Sequence, residues 1–313
     1  MTATLLAPAP TGTATDRIGS VTTPLRPRPA GFAAPRQLGE LFDAARLWRP
    51  ADHGVELSVV VPFYNPGDAL RRTVSQLVSC LRAQGVRFEV IAVSDGSTDG
   101  SEHTLTNLAP EVRVLTANHN QGKGGALHLG FARARGAWVG MVDADGDIDP
   151  VHLVEYLNIA RTGQHAVVYA DKRHTNSTSA SSPFRKIVSI VYSTLVAMLF
   201  MLGVRDTQTG CKIFRRDVLA DVLPKLQETR FAFDLEFFVA AKAHGITDMV
   251  PAPVRLEERT AGSTVGTKAI LRTIRDTLTI YTRHHNAKSY NARVRGHVGG
   301  RITHGAVTAR SWF

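Results

Sequence analysis

Four runs of apolar, largely β-branched residues follow one another along the chain, and a polar loop succeeds each of them. The runs are LSVVVP after Glu56, FEVIAV at 88–93, and the segments 112–115 and 137–142. Helical stretches separate or follow them at about 68–84, 101–108, 124–135 and 151–162. A continuous apolar run suits a strand buried on both faces of a parallel sheet. The alternation therefore predicts an α/β fold with a doubly wound, mostly parallel sheet and flanking helices.

The polar loops behind these strands predict where the functional site lies. They read PFYNPGD, SDGSTDGS, NHNQGKGG and DADGDIDP. In a doubly wound sheet, ligands bind outside the carboxyl ends of the strands. We therefore expect all four loops to meet at one edge of the sheet and to form the ligand site there.

The last of these loops, DADGDIDP at 143–150, carries four aspartates within seven residues. Their mutual repulsion is unfavourable unless a cation offsets it, and one or two carboxylates are enough to hold Mg²⁺ or Mn²⁺ against a diphosphate. An EF-hand is excluded because its glycine and its terminal glutamate are out of place. The alternative is an acidic Ca²⁺-like loop, or a turn whose aspartates cap a helix.

The second and third loops favour nucleotide binding. Asp95 in SDGSTDGS is a hydrogen-bond acceptor for a base or a ribose, and Lys123 in NQGKGGALHLG follows a glycine turn that leads into a helix. The spacing differs from that of a P-loop. The alternatives are ordinary turn chemistry around Asp95 and a solvated surface lysine at Lys123.

The net charge of +10 favours a polyanionic partner. Nucleic acid, an anionic lipid surface and a phosphorylated substrate all fit that charge, but the acidic loops would repel a nucleic-acid backbone, and no nucleic-acid partner is expected. Two cysteines, Cys80 and Cys211, form neither a disulfide framework nor a zinc site, which indicates a reducing compartment. The first residues lack the pattern of a secretory signal, so a cytoplasmic location is expected.

The chain divides into three parts. Residues 1–54 are predicted to be a disordered tail with a short helix near 38–47, and residues 283–313 a basic, flexible tail suited to an anionic membrane. Between them, 55–282 forms one domain. Its apolar stretch 187–204 is at the lower limit for a membrane span, and a helix that is buried or lies at an interface is the better interpretation.

The motifs VPFYNP, SDGSTDGS, NQGKGGAL and DADGDIDP, in this order, resemble those of family 2 glycosyltransferases with the GT-A fold. The similarity runs from about Glu56 to Tyr281. Later segments are similar to the polyprenyl-phosphate branch, the dolichyl-phosphate mannose and glucose synthases: YADKRH, PFRKIVS, RDTQTGCKIFRRDV, FDLEFF and ERTAGST. The resemblance implies a metal-dependent, inverting transfer of a hexose from UDP-glucose or GDP-mannose to a polyprenyl phosphate. The enzyme would be peripheral on the cytoplasmic face of a membrane.

The same resemblance implies roles for residues at the nucleotide and metal sites. Pro62, Tyr64 and Asp95 would line the nucleoside pocket, with Lys123 beside the nucleotide. Asp143 and Asp145 would form the DXD pair, Asp145 acting in catalysis, and Asp147 falls where relatives often have a glutamine metal ligand. One departure lies nearby, since Pro66 replaces a glutamate that is expected to contact the ribose.

Further roles concern the phosphate groups of donor and acceptor. Arg173, Arg185 and Ser189 match positions that would hold these phosphates. Asp206 would stand near the reacting centre, while Lys212 and Arg259 could steady the diphosphate. A second departure, Thr264 in place of a lysine, transfers more of that task to Arg259.

Two other functions remain open. A transferase acting on the hydroxyl of a soluble glycan or metabolite would need a general base, for which Asp234 or Glu236 in FDLEFF is the candidate. A non-enzymatic protein, either a basic nucleic-acid-binding domain or a nucleotide-sugar sensor, is the other.

Overall fold

The computed structural model describes residues 54–179, 183–256 and 267–285. The predicted N-terminal helix near 38–47, Arg259, and residues 286–313 of the predicted basic tail lie outside these ranges. The predicted start of that tail is shifted, because the last described helix continues through residues 283–285.

The first half of the sheet is parallel and is built from the predicted apolar runs. Its strands are β1 (Leu57–Phe63), β2 (Phe88–Ser94), β3 (Val112–Thr116) and β4 (Trp138–Val142). β1 pairs with β2 on one side and with β4 on the other, and β2 pairs with β3. Every residue of β1, β2 and β4 is buried, which explains their lack of polar alternation. β3 is only partly buried because it forms an edge of the sheet.

Helices cover both faces of this half. They are α1 (Ala69–Ala83), α2 (Lys123–Phe131) and α3 (Val151–Gly163). Alternate residues of β1 face opposite layers, as the two-residue period of a strand requires. Val59 and Val61 belong to the core formed with α1 and α3, whereas Val60 packs with α2. The predicted doubly wound arrangement is confirmed.

The second half of the sheet is mixed. Of the seven strands that the structure describes in this sheet, one is antiparallel to the others, and it lies in this half. Its strands are β5 (Val167–Ala170), β7 (Cys211–Arg215) and β8 (Met249–Ala252), and the full order is β3-β2-β1-β4-β7-β5-β8. β7 runs antiparallel between β4 and β5, while β5 and β8 are parallel. β6 (Thr178–Ser179) and β9 (Arg255–Leu256) form a separate two-stranded sheet.

Four helices complete this half. They are α4 (Pro183–Phe200), α5 (Arg216–Val222), which a short 3₁₀ turn at Leu223–Lys225 follows, α6 (Phe233–Ala243) and α7 (Thr267–His285). Val196 and Phe200 of α4 pack with Leu235 of α6 and Ile280 of α7 in a third core. α7 thereby fixes the C-terminal end of the described chain against α4 and α6.

Two predicted helices differ in the structure. The segment predicted to be helical at 101–108 is a 3₁₀ helix at Ser101–Leu105, which ends because Thr106 has an extended ψ of 126° and Asn107 a left-handed φ of 56°. The apolar stretch predicted at 187–204 lies in α4, which begins earlier and ends where Met201 adopts a left-handed φ of 47°. No helix in the described ranges is long and apolar enough to cross a membrane.

Candidate active site

The loops after β1 and β2 are tied together at the carboxyl edge of the sheet. The backbone N–H of Thr98 donates to Asn65 Oδ1 at 2.8 Å, and the N–H of Asn65 donates to Ser97 Oγ at 3.1 Å. The N–H of Gly67 donates to Asp99 Oδ2 at 2.9 Å. These bonds join the two loops into one wall of the site. Tyr64 stands on this wall with 51% of its surface exposed, whereas Pro62 is buried within β1.

Asp95 fixes the third loop. It is 4% exposed, its Oδ1 accepts the N–H of Gln121 at 2.7 Å, and its Oδ2 accepts the N–H of Gly122 at 2.8 Å. Gly96 makes this close approach sterically possible, since a Cβ there would lie 2.7 Å from the carbonyl carbon of His119. Asp95, which the sequence assigns to the nucleoside pocket, therefore shapes the glycine loop that opens α2.

The glycine loop packs against the start of α6. A Cβ on Gly124 would lie 2.7 Å from the Cβ of Phe233, and the N–H of Gly125 donates to the carbonyl oxygen of Thr229 at 2.8 Å. A Cβ on Gly122 would likewise fall 2.7 Å from Thr229 O. The backbone of this loop therefore depends on the segment 227–233 as well as on Asp95.

Lys123, the first residue of α2, reaches the carboxylate at the end of β4. Its Nζ lies 2.7 Å from Asp143 Oδ1 and 3.8 Å from Asp234 Oδ2. Burial opposes the charge on Lys123, but Asp143 and then Asp234 outweigh it and hold the pKa of the ammonium well above its ordinary value. Lys123 is thus a buried cation of the site and not the solvated surface lysine of the alternative interpretation.

Gly210 confines Asp143 from the opposite side. The N–H of Asp143 donates to the carbonyl oxygen of Gly210 at 3.1 Å, and a Cβ on Gly210 would fall 1.7 Å from Asp143 Oδ2. Only a glycine leaves room for the carboxylate in this position. The motif RDTQTGCKIFRRDV contained this residue, but the sequence offered no signal for its role because the contact is between distant segments.

The other aspartates of DADGDIDP divide into two groups. Burial and the neighbouring Asp143 raise the pKa of Asp145, and its Oδ1 accepts the N–H of Asp147 at 3.1 Å. Asp149 lies just before α3 and accepts the N–H of Val151, the first residue of that helix, at 2.9 Å, as in the capping role considered as the alternative. Asp143, Asp145 and Asp147 thus remain at the mouth of the site.

The donor set fits a hard divalent cation. Burial is the main cause of the raised pKa of Asp145, and repulsion from Asp143 is the next; a cation would relieve that repulsion. Among the residues that the structure describes, no three His, Cys, Asp or Glu side chains are arranged to hold a metal ion. Two carboxylates suffice for Mg²⁺ or Mn²⁺ when substrate phosphates complete the coordination. Asp143 and Asp145 are the residues that would provide them, and the third ligand expected at Asp147 stays a prediction.

Behind Asp143 lies a buried ion pair. Lys212 is 1% exposed, and its Nζ donates to Asp234 Oδ1 and to the carbonyl oxygen of Thr209, each at 2.7 Å. The predicted contact of Lys212 with a diphosphate therefore stays a prediction, and the contacts found here make it the partner of Asp234. Sequence reasoning considered Asp234 as a base and missed its position between two lysines.

Asp206 is held as a carboxylate at the start of the segment that precedes β7. It is 8% exposed, and it accepts the Thr209 hydroxyl at 2.6 Å and the N–H of Gln208 at 3.0 Å. The backbone N–H of Lys172 donates to Asp206 Oδ2 at 3.2 Å, and the Lys172 ammonium lies 3.8 Å from the same oxygen. Burial opposes ionisation, but Lys172 and these hydrogen bonds outweigh it and lower the pKa of Asp206. Lys172 was missed, although it stands in the YADKRH motif beside Arg173.

The residues predicted to hold phosphate groups meet α4. The Arg173 guanidinium donates to the carbonyl oxygen of Ser189 at 3.0 Å and to the Ser193 hydroxyl. Arg173 and Ser189 are both exposed. Arg185 belongs to α4, but its side chain, like the whole of Arg259, is outside the described part of the protein. Arg173 and Ser189 are thus brought together, and the roles of all four residues stay predictions.

Comparisons with known proteins point to one family. The model of glycosyl transferase family 2 matches residues 58–223. The human dolichyl-phosphate beta-glucosyltransferase is 33% identical over 204 residues, which are 60% of this chain and 63% of the relative. The Saccharomyces cerevisiae protein of the same name is 29% identical over 212 residues, 61% of this chain and 64% of the relative. The chain thus spans less than two thirds of the length of these relatives.

Solved structures share the fold. The glucosyl-3-phosphoglycerate synthase of Mycobacterium tuberculosis superposes with a TM-score of 0.59 at 19% identity, covering 79% of this chain and 84% of that one. A complex of the same enzyme with Mn²⁺, UDP and glucosyl-3-phosphoglycerate gives 0.57 at 19% identity, covering 80% and 86%. The mannosyl-3-phosphoglycerate synthase of Rubrobacter xylanophilus gives 0.55 at 17% identity, covering 85% and 82%. These enzymes share the GT-A type of sheet, which confirms that expectation.

Proposed function

The chain belongs to glycosyl transferase family 2, and we propose that it transfers glucose, with inversion, from UDP-glucose to a polyprenyl phosphate. The observation that carries the proposal is the meeting of Asp143, Asp145 and Lys123 at the carboxyl edge of a GT-A sheet. Glucose is favoured over mannose because the similar proteins from human and yeast bear the name dolichyl-phosphate beta-glucosyltransferase.

The donor would lie along the wall that the loops after β1 and β2 form. Tyr64 offers an exposed ring for the base, and the glycine loop held by Asp95 offers its backbone near the phosphates. Asp143 and Asp145 would hold Mg²⁺ or Mn²⁺, and such an ion would neutralise the charge of the departing diphosphate. Lys123 supplies a second positive charge at the same place.

The acceptor chemistry agrees with the state of Asp206. A phosphate monoester is largely ionised at neutral pH and needs little help from a base, so positioning and charge neutralisation would supply most of the catalysis. Asp206, held ionised by Lys172 and Thr209, would orient groups near the reacting carbon. Arg173, whose guanidinium contacts the surface of α4, is the described residue best located to attract the acceptor phosphate.

The rival acceptor, a soluble hydroxyl compound, is less well supported. It requires a general base, and the two candidates already serve as ion-pair partners inside the protein. Asp234 is 3% exposed and pairs with Lys212, and Glu236 is 0% exposed and pairs with Arg283 at 2.5 Å. A carboxylate that is buried and already bonded to a cation is not within hydrogen-bond reach of a substrate hydroxyl.

A lipid acceptor implies attachment at a membrane surface, which the outer side of α4 supports. Ile190, Val191 and Met198 are 55%, 63% and 68% exposed, and Met201 just beyond the helix is 76% exposed. Apolar side chains in such a row favour the boundary of a bilayer, and the net charge of +10 favours anionic lipids.

Flotation with vesicles containing phosphatidylglycerol should therefore carry the protein, and Met198→Glu should reduce the bound fraction. Gln84→Glu, which adds the same charge at the end of α1, is the control and should leave binding unchanged.

The decisive experiment is a transfer assay with the purified full chain. UDP-[¹⁴C]glucose or GDP-[¹⁴C]mannose is incubated with polyprenyl phosphate in Mn²⁺ or in EDTA, and organic-soluble label is counted. We expect label from UDP-glucose in Mn²⁺ and none in EDTA. Asp145→Asn should remove activity, whereas Asp149→Asn, in the same loop but at the cap of α3, should retain it. Label that stays in the aqueous phase on a soluble acceptor would refute the lipid acceptor.

A further inference from the structure

Four charged side chains of alternating sign form a line that leads from the mouth of the site into the interior. We call Asp143, Lys123, Asp234 and Lys212 the charge line. Consecutive members are 2.7 Å, 3.8 Å and 2.7 Å apart. The exposed fractions of their side chains fall from 30% at Asp143 through 16% and 4% to 1% at Lys212. The line is thus open to solvent at the Asp143 end alone.

The two contacts of Lys123 are unequal. Its ammonium is in full contact with Asp143, but it stands about 1 Å short of contact with Asp234. Asp234 cannot easily follow Lys123, because its other oxygen is bonded to Lys212 and its backbone belongs to the first turn of α6. A small movement of the flexible lysine would therefore exchange one carboxylate partner for another.

We propose that Lys123 is the resident counter-ion of Asp143, and that a divalent cation displaces it onto Asp234, which acts as the positioning residue for this exchange. The inference rests on the proposed function, from which it takes a divalent cation at Asp143. An ammonium and a divalent cation in contact with the same carboxylate oxygen would repel each other strongly at such short range. The ammonium must then leave Asp143, and Asp234 is the carboxylate that receives it.

The exchange avoids a buried charge without a partner in either state. Removing one member of a buried pair is costly because the remaining charge is neither solvated nor compensated. Before the cation arrives, Lys123 compensates Asp143; afterwards it shares Asp234 with Lys212. Asp234 thereby favours binding of the divalent cation because it receives the displaced ammonium of Lys123. This role differs from a direct attraction between Asp234 and the cation.

The test is direct binding of Mn²⁺ to the full chain, followed by electron paramagnetic resonance without nucleotide sugar or lipid. Lys123→Met removes the competing ammonium and should tighten Mn²⁺ binding about tenfold. Asp234→Asn removes the receiving carboxylate and should weaken binding by a similar factor. When Asp234→Asn is added to Lys123→Met, the Mn²⁺ affinity should stay almost the same as in Lys123→Met alone. The reason is that no ammonium is left for Asp234 to receive. Lys225→Met, a half-buried lysine outside the charge line, is the control and should bind as the wild type does.

The double variant separates the proposal from a general electrostatic effect. If Asp234 acted by attraction alone, Asp234→Asn would weaken Mn²⁺ binding equally with and without Lys123, and the proposal would be overturned. Equal affinity in the wild type and Lys123→Met, or no Mn²⁺ binding to the wild type, would also overturn it. Thermal unfolding checks that each variant folds; if Asp234→Asn does not, equal Mn²⁺ affinity of Lys123→Met and the wild type still overturns the proposal. A negative transfer assay with the expected binding pattern would refute the enzyme activity and leave this inference standing.

Discussion

Gly210→Ala is the substitution for which the structure gives the sharpest expectation. The new Cβ would fall 1.7 Å from Asp143 Oδ2 and 2.2 Å from its Cγ. The backbones of the two segments cannot separate easily, because β4 pairs with β7 from Val142 and Cys211 onward and Asp143 N–H is bonded to Gly210 O. The carboxylate of Asp143 must therefore move.

The size of that movement sets the size of the effect. Ordinary van der Waals contact begins at 3.4 Å, so Oδ2 has to retreat by about 1.7 Å. Ligand distances in metal sites hold to within about 0.2 Å, and a misplacement of about 1 Å commonly costs about a hundredfold in rate. We expect kcat/KM for the proposed transfer to fall at least about a hundredfold, which corresponds to about 2.7 kcal/mol. The φ of Gly210 lies outside the left-handed region, so alanine fits its backbone.

Activity and folding are measured on the same preparations. The obstructing atoms are the end of a side chain, so the melting temperature should stay within about 4 °C of the wild type, which is about 1 kcal/mol. Gly163→Ala is the matched control: it lies at the far end of α3, where a Cβ meets the ring of His165. It should keep full activity. Transfer by Gly210→Ala within threefold of the wild type would refute this account of Asp143.

Two further predictions concern stability. Burial lowers the pKa of His128 to about 3, so below its ordinary pKa the unfolded chain takes up a proton that the folded chain does not. The contribution of this group to the free energy of unfolding should therefore fall by about 2 kcal/mol between pH 6.5 and pH 5. Urea unfolding at several pH values measures this dependence, and His128→Leu should remove that part of it. Arg283→Met leaves the fully buried Glu236 without its cation and should cost roughly 3 kcal/mol. Arg275→Met, in the same helix but exposed, should cost under about 0.5 kcal/mol, and equal losses in the two variants would contradict this interpretation.

The first half of the fold was predictable from sequence because its signals are local. Continuous apolar runs such as Val59 to Val61 mark strands that are covered on both faces, and the loops behind them must meet at the carboxyl edge. The orientation of β7 was not predictable in this way, since an apolar run has the same composition in either direction. The tail was predicted to begin at 283 because the basic residues Arg283 to His285 look like the start of a charged tail, whereas α7 continues through them.

The site was predictable in part for a related reason. Motifs identified Asp143 and Asp145 as a pair and Asp95 as a site residue, and the structure brings all three to one edge. The sequence did not indicate that Asp95 bonds the backbone of the glycine loop, or that Lys123 reaches Asp234. Both depend on contacts between segments far apart in the chain, for which composition and spacing carry no information.

The antiparallel direction of β7 determines how the two halves of the protein share the site. A parallel strand delivers the residues that follow it to the carboxyl edge, as β4 does with Asp143, but a reversed strand delivers the residues that precede it. Asp206 and Gly210 therefore reach the site from the opposite chain direction. A fragment ending before Cys211 would retain every loop of the first half and still lose Lys212 and Asp234, the buried ion pair behind Asp143. The sheet and the buried ion pair behind Asp143 therefore depend on the same strand.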